Sequence, residues 1–178
     1  MLKRVFIIAG EASGDFLGSS LMQALKAYNP DVSFMGVGGA QMRAQGLQSI
    51  FPMEDLSVMG LTEVLPRLFK IMGRLRQTVR EVVRQKPDVV ITIDSPDFCF
   101  RAVKKIRRQA PGIPCVHYVA PSVWAWRPGR AQKIASLYHH LLALLPFEPP
   151  YFEKHGLRTT FVGHPIVEKM EQRGDGAR

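Results

Sequence analysis

The stretch that decides the fold is Val89–Phe98, which reads VVITIDSPDF. Its first five residues form a continuous apolar and β-branched run, which is typical of a parallel strand buried on both faces. Ser95 and Pro96 then predict a helix start, because serine can accept a backbone hydrogen bond there and proline lacks only a donor that the first turn does not use. The passage therefore predicts a strand that leads directly into a helix, which is the repeating unit of an α/β fold.

Two carboxylates follow this predicted strand. Asp97 falls in the first turn of the helix, where the partial positive charge of the helix end stabilises a carboxylate. Asp94 has no such explanation, and it follows the carboxyl end of the strand, where open α/β sheets bind their ligands. We interpret Asp94 as a chemical residue, and a local capping role is the alternative.

The same alternation of short apolar runs and helical patterns continues along the whole chain. It predicts an α/β fold with a doubly wound, mainly parallel sheet and helices on both faces. The predicted strands are Val5–Ala9, Val32–Val37, Val89–Ile93, Cys115–Ala120, Leu141–Leu145 and Thr160–Val162. The predicted helices are Asp15–Tyr28, Leu65–Gln85, Phe98–Gln109, Gly129–Tyr138 and Glu148–Lys154.

Composition restricts the class of protein and its partners. The chain has 178 residues, of which 46% are hydrophobic and 22% charged, as expected for a globular domain with its own core. No apolar run approaches the ~20 residues of a membrane span. Cys99 and Cys115 lack metal-ligand spacing, which favours two buried thiols. The net charge of +9 indicates an anionic partner, without choosing among phosphates, nucleic acid and a membrane surface.

Two loops that follow predicted strands are candidate ligand sites. The first is GEASGDFLG at residues 10–18, whose glycines permit close approach to a ligand, although its spacing is neither that of a dinucleotide fingerprint nor that of a P-loop. An ordinary strand-to-helix turn capped by Ser13 is an equal alternative. The second loop contains both tryptophans of the chain, Trp124 and Trp126, beside Arg127. Tryptophans in such a loop can wall a sugar or acyl site, although we expect at least one of them to be structural.

The long helix predicted at Leu65–Gln85 has a mixed surface. Leu68, Met72, Leu75, Val79 and Val82 share one stripe, which predicts the face that packs on the core. Phe69 and Ile71 lie off that stripe among basic residues, which is typical of a helix at a membrane surface. The predicted membrane-contacting residues are Arg67, Phe69, Lys70, Ile71, Arg74 and Arg76. A solvated helix with a wide apolar face is the alternative.

Seven groups of residues occur in order and together resemble a known family. They are GEASGD at 10–15, GVGG at 36–39, VMG with EVL at 58–65, IDSPDF at 93–98, HYVAPSVWAW at 117–126, LPFE at 145–148 and FVGH at 161–164. They resemble the amino-terminal half of lipid-A-disaccharide synthases, which are inverting glycosyltransferases of the two-domain GT-B type. The resemblance covers nearly the whole chain.

The resemblance implies a reaction and a location. Such enzymes join UDP-2,3-diacylglucosamine to 2,3-diacylglucosamine 1-phosphate (lipid X), which gives a β-1,6-linked disaccharide and UDP. They use no metal or other cofactor, and they are cytoplasmic proteins, peripheral on the inner face of the inner membrane of Gram-negative bacteria. By motif position, the general base of the family falls on Asp94.

The resemblance also implies substrate contacts and a domain division. The predicted substrate-binding residues are Glu11, Ser13, Gly14, Asp15, Gly39, Ser122, Trp124, Trp126, Arg127 and His164. Family members are about twice as long as this chain, and their second half carries most of the UDP-binding residues. We therefore expect residues 1–166 to form a Rossmann-like acceptor-side domain, residues 167–178 a linker or tail, and the donor domain to be absent.

Two further functions compete with a glycosyltransferase domain that supplies the base. One is a catalytically inert half-protein that binds a membrane or lipid X and lacks the donor domain. The other is a nucleotide- or nucleic-acid-binding protein, which the charge alone suggests. It is the weakest of the three, because no nucleic-acid motif occurs, and we therefore expect no nucleic-acid partner.

Overall fold

The computed structural model describes residues 2–56, 64–123 and 129–165, and for residues 64–67 it describes the backbone without the side chains. The strands are β1 Arg4–Ala9, β2 Ser33–Val37, β3 Gln48–Ser49, β4 Val89–Ile93, β5 Cys115–Tyr118, β6 His140–Ala143 and β7 Thr159–Phe161. The helices are α1 Ala12–Tyr28, α2 Ala40–Ala44, α3 Val64–Gln85, α4 Pro96–Gln109, α5 Gly129–Ala135 and α6 Pro149–Glu153, and Met53–Leu56 forms a 3₁₀ turn.

The seven strands form one parallel sheet in the order β3-β2-β1-β4-β5-β6-β7. Helices α1 and α2 pack together, as do α3 and α4. Successive strands are added to one side of β1 as far as β3 and to its other side from β4 onwards. Because parallel crossovers are right-handed, this change of side puts the two pairs of helices on opposite faces of the sheet. The predicted doubly wound α/β fold is therefore confirmed.

The centre of the sheet forms the core. All five residues of β4 are buried, as are Val5–Ala9 of β1. On α3, the side chains of Leu75, Val79 and Val82 are at most 3% exposed and cover one face of the sheet. Burial of such aliphatic side chains contributes roughly 1.5–3 kcal/mol each to stability.

The sequence prediction missed three short elements and misplaced one of the core residues predicted on α3. Helix α2, strand β3 and the 3₁₀ turn were not predicted, because segments of two to five residues show no measurable periodicity. Leu68 was predicted to pack on the core, but its side chain is 49% exposed. The other predicted elements are confirmed, with β4 matching at both ends and no end shifted by more than three residues.

A glycine is required at position 36 of β2, because the backbones of β1 and β2 approach each other closely there. Its φ is +145°, and a Cβ at this position would overlap the carbonyl oxygen of Ile7 in β1. Glycine is therefore the residue type that fits the β1–β2 pairing here.

Large apolar side chains are exposed at the β6–β7 end of the sheet. Between 38% and 48% of their surface is accessible in Leu145, Phe147, Tyr151, Phe161 and Val162. Among the described helices, none has the length and apolarity needed to cross a membrane.

We expect Gly36→Ala to lower the free energy of unfolding by more than about 4 kcal/mol, because the new methyl group has no space and the backbone is strained. Gly112→Ala is the matched control, since a Cβ there meets nothing within 4 Å, and it should change stability by no more than about 0.5 kcal/mol. Urea denaturation of both variants measures the difference. Equal stabilities would contradict the packing described for Gly36.

Candidate active site

The carboxyl ends of β1, β4 and β5 bring together the first turn of α1, Asp94 and the end of β5. The Asp94 backbone N–H donates to the carbonyl of Tyr118 at 3.1 Å, which continues the β4–β5 pairing past the strands. On the other side, Ser13 Oγ donates to Asp94 Oδ2 at 3.4 Å. Asp94 therefore lies between the first turn of α1 and the end of β5, at the edge of the sheet where it was predicted.

The backbone at this edge is strained. Asp94 and Ser95 have φ values of 50° and 42°, and Val119, which follows β5, has a φ of 81°. Left-handed conformations are unusual for non-glycine residues and for valine above all, and each costs of the order of 1–3 kcal/mol. Such strain clusters at functional sites, where a side chain must be held in a direction that relaxed backbone does not give it.

The predicted capping role of Ser95 is wrong, and so is the alternative in which Ser13 caps α1. Ser95 precedes α4 in a left-handed conformation and makes no side-chain capping bond. Ser13 lies inside the first turn of α1, and the residue that precedes this helix is Glu11, which also makes no side-chain cap. The Ser13 hydroxyl is instead directed to Asp94, which supports the functional interpretation of this loop.

A cleft of about 800 Å³ opens next to Ser13 and Ser95; Asp94, which neighbours both, is not itself one of its lining residues. We call it the edge cleft. It is lined by Glu11, Ala12, Ser13, Met53, Glu54, Leu56, Ser95, Pro96, Asp97 and Phe98.

The edge cleft combines apolar walls with carboxylates. Met53 and Leu56 of the 3₁₀ turn face residues of α1 and α4 across it. Sequence reasoning missed these residues, because the turn carries no pattern beyond the proline that precedes it. A site of this composition suits a ligand that has both hydroxyl groups and hydrocarbon.

Asp15 is engaged in a structural contact. Its carboxylate is 5% exposed and accepts backbone hydrogen bonds from Gly39 at 2.8 Å and from Gln41 and Met42 at 3.0 Å. These are the amino-terminal donors of α2, so Asp15 caps that helix from α1. A side chain at Gly39 would collide with this carboxylate. The prediction that Asp15 and Gly39 bind substrate is not supported by these structural hydrogen bonds, and it stays a prediction.

The other predicted substrate-binding residues differ in position. Gly14 is buried and packs α1 closely against Ala9 of β1. Ser122 is exposed in the loop that follows β5, and Glu11 is exposed on the edge cleft. His164, which follows β7, stacks on Phe16 of α1 with ring centroids 6.5 Å apart, so it lies near the first turn of α1. Trp124, Trp126 and Arg127 lie outside the described residues.

The predicted membrane residues of α3 also separate into groups. Phe69 is 78% exposed and Arg76 is exposed, as predicted. Lys70 Nζ and Arg74 Nη2 instead pair with Asp55, at 2.5 and 2.7 Å. The hydrogen bond from Lys70 is the main cause that lowers the pKa of Asp55.

Ile71 does not have the exposed position that was predicted, because it is partly buried and packs against the core. The side chain of Arg67 lies outside the described residues. Of the predicted pair Phe69 and Ile71, only Phe69 is therefore prominently exposed. Leu68, which was not predicted to be exposed, lies beside it.

His117 of β5 is buried below this edge of the sheet. It is 1% exposed, and burial lowers its pKa from 6.5 to about 3, so the imidazole is neutral in the folded protein. Within the described residues, no group of three or more His, Cys, Asp or Glu side chains is arranged to hold a metal ion.

The fold places the protein in the class of Rossmann-like domains that occur in GT-B glycosyltransferases and sugar-nucleotide epimerases. One similar solved structure is the Staphylococcus aureus MnaA–UDP complex, with a TM-score of 0.65 and 14% identity over 96% of this chain and 46% of that one. Another is the lipopolysaccharide outer core galactosyltransferase WaaB, with a TM-score of 0.59 and 13% identity over 92% of this chain and 46% of that one.

The sequence identifies the particular family. Residues 5–178 match the lipid-A-disaccharide synthetase family, and the chain belongs to it. The lipid-A-disaccharide synthase of Rhodospirillum centenum is 59% identical over 98% of this chain and 44% of its own length. That of Pseudomonas aeruginosa is 51% identical over 98% of this chain and 46% of its own length. The chain therefore spans less than half the length of these relatives.

We expect stability to fall as the pH is lowered from 6.5 through 4.5. The unfolded chain binds a proton at His117 in this range, whereas the folded protein does not until the pH approaches about 3. The free energy of unfolding should therefore lose up to about 1.4 kcal/mol per pH unit from this group. Chemical denaturation at several pH values measures it.

Partial burial also lowers the pKa of His140, which acts in the same direction. The measurement is therefore made in a His140→Gln background, with His140→Gln/His117→Gln as the comparison. If the free energy of unfolding falls equally steeply with pH in the variant that lacks His117, the assignment of this pH dependence to His117 is contradicted.

Proposed function

We propose that this chain is the acceptor-side domain of a lipid A glycosyltransferase and that Asp94 is its general base. The observation that carries the proposal is the position of Asp94, which follows a buried strand in a strained backbone and whose carboxylate accepts a hydrogen bond from Ser13, a lining residue of the edge cleft. The substrates are UDP-2,3-diacylglucosamine and lipid X, and the products are the β-1,6 disaccharide and UDP.

The mechanism follows from the chemistry of the acceptor hydroxyl. Asp94 takes the proton of the acceptor's 6-hydroxyl while its oxygen bonds to the anomeric carbon of the donor. The bond from that carbon to UDP breaks, and UDP departs with the electron pair. A base on the acceptor side fits inversion, because the attack comes from the face opposite the leaving group. Ser13 donates to Asp94 Oδ2, which leaves Oδ1 for the substrate.

The edge cleft suits the rest of the acceptor. Its apolar walls at Met53, Leu56 and Phe98 would contact the acyl chains. The carboxylates of Glu11 and Glu54 would accept hydrogen bonds from sugar hydroxyls and repel the phosphate of lipid X. The phosphate is therefore expected to be directed out of the cleft.

Substitution of Asp94 tests this assignment in a two-domain protein, in which this chain is joined to the complementary part of the Rhodospirillum centenum relative. Asp94→Asn should lower the rate of UDP release at saturating acceptor by ~10²–10⁴, the usual loss when a general base is removed. Acceptor binding should be largely kept, because the side chain keeps its size.

Asp97→Asn is the matched control. Asp97 is an exposed carboxylate in the first turn of α4 and, unlike Asp94, lines the edge cleft itself. We expect its loss to cost mainly about 0.3–1 kcal/mol of stability. An inactive Asp97→Asn beside an active Asp94→Asn would reverse the roles of the two carboxylates.

A peripheral position on an anionic membrane surface is the second part of the proposal. Helices α3 and α4 carry eleven Lys or Arg and two acidic residues, so they account for the whole net charge of +9. Phe69, Arg76, Arg80 and Arg84 share one exposed stripe of α3. A basic face with a prominent aromatic side chain at one end is typical of proteins that lie on anionic lipid.

We expect Arg76→Glu/Arg80→Glu to weaken binding to phosphatidylglycerol-containing vesicles by more than about tenfold, since each cation near the surface contributes ~1 kcal/mol. The control Arg43→Glu/Arg158→Glu makes the same charge change at exposed positions outside α3 and α4. Vesicle sedimentation at two salt concentrations measures both. Equal binding by the two variants would indicate that net charge, rather than this face, determines the association.

A further inference from the structure

A polar cluster lies in the core below the strained turns. Thr92, His117 and Tyr138 are 0%, 1% and 3% exposed. The Thr92 hydroxyl donates to the Tyr138 hydroxyl at 3.0 Å and lies 2.7 Å from His117 Nδ1. The three residues come from β4, β5 and the segment that precedes β6. None of them lines the edge cleft, and the proposed chemistry uses none of them.

Aromatic contacts connect this cluster to two helices. Phe100 of α4 meets the rings of His117 and Tyr138 edge-on, with centroids 5.3 and 5.8 Å apart. The guanidinium of Arg130 in α5 lies 5.7 Å from the Phe100 centroid. The cluster therefore contacts α4 directly through Phe100, and Phe100 in turn contacts α5, the helix that follows the loop after β5.

The cluster lies close to the strained residues along both strands. In the β4–β5 register Thr92 pairs with His117, and the next pair, Ile93 with Tyr118, is the last of the ladder. Asp94 is two residues beyond Thr92, and Val119 is two residues beyond His117. Strained backbone persists only where its surroundings over-determine it. Hydrogen bonds provide such determination, because they depend on direction, whereas apolar contacts do not.

We propose that Thr92, His117 and Tyr138 are positioning residues that hold Asp94, Ser95 and Val119 in their left-handed conformations. By fixing the ends of β4 and β5 against each other, they direct the Asp94 carboxylate towards Ser13, which lines the edge cleft. The proposal rests on the proposed function only for the role of Asp94 as the base. The positioning itself is a property of this chain that is measurable without substrate.

The test compares two substitutions that remove a buried hydroxyl and keep the shape of the side chain. Thr92→Val removes the centre of the cluster. Thr78→Val is the control, because Thr78 is also 0% exposed and donates to the Arg74 carbonyl at 2.9 Å, but lies on α3. Tyr138→Phe is a milder variant of the cluster. Each chain is studied by NMR for the HN–Hα couplings of Asp94, Ser95 and Val119.

Amide exchange provides the second reading. The N–H groups of Asp94 and Val119 donate to Tyr118 and Leu142 at 3.1 and 3.0 Å. Thr92→Val and Tyr138→Phe should raise their exchange rates by roughly tenfold, as for the loss of about one hydrogen bond. Both variants should also change the couplings of the left-handed residues. Thr78→Val should leave the couplings and these two rates unchanged while it lowers the thermal midpoint.

The proposal is overturned if the two cluster variants keep the parental couplings and exchange within about twofold of the parent. The cluster would then be an ordinary part of the core. If Thr92→Val does not fold, Tyr138→Phe decides by the same two readings. Transferase activity is not measured, so a failure of Asp94 as the base leaves this result unaffected.

Discussion

The pairing of β1 with β4 is the constraint on which the rest of the molecule depends. Five residue pairs, from Val5 with Val89 to Ala9 with Ile93, fix the register between these parallel strands. This pairing lies where the strand order changes from one side of β1 to the other. A slip by one residue would exchange the buried faces of β4. A slip by two would move Ser13 away from Asp94 by roughly 6–7 Å. The core and the candidate site therefore depend on the same ladder.

Most of the sheet could be predicted because strands that are buried on both faces are continuous apolar runs in the sequence. Val5–Ala9 of β1 and the whole of β4 are buried, and every one of these positions is apolar or β-branched. The segment between β2 and α3 could not be predicted, because short elements are determined by tertiary contacts. Helix α2 depends on the Asp15 carboxylate, which is 24–27 residues away along the chain. Leu68 was misassigned because periodicity identifies the face of a helix but not how much of its length is covered by other elements.

The position of Asp94 in the candidate site could be predicted from the sequence, whereas the apolar lining at Met53 and Leu56 could not. Asp94 was found by elimination, because the strand, the proline and the helix dipole explain its neighbours and not Asp94 itself. That reasoning placed it at the correct edge of the sheet, although the Ser95 cap on which it partly relied is absent. Met53 and Leu56 could not be found, because their position depends on how the chain folds back over α1. Their role and that of Asp94 stay predictions.

The strand order also has a consequence for folding kinetics. Strand β1 forms first along the chain, but its second neighbour, β4, follows about eighty residues later. Pairings of such high sequence separation fold slowly, because the loop must close before any contact compensates for the lost entropy. Until residues 89–93 dock, the chain exposes one edge of its most apolar strand. The interval before that docking is therefore the period in which a newly synthesised chain is most exposed to aggregation and most dependent on chaperones.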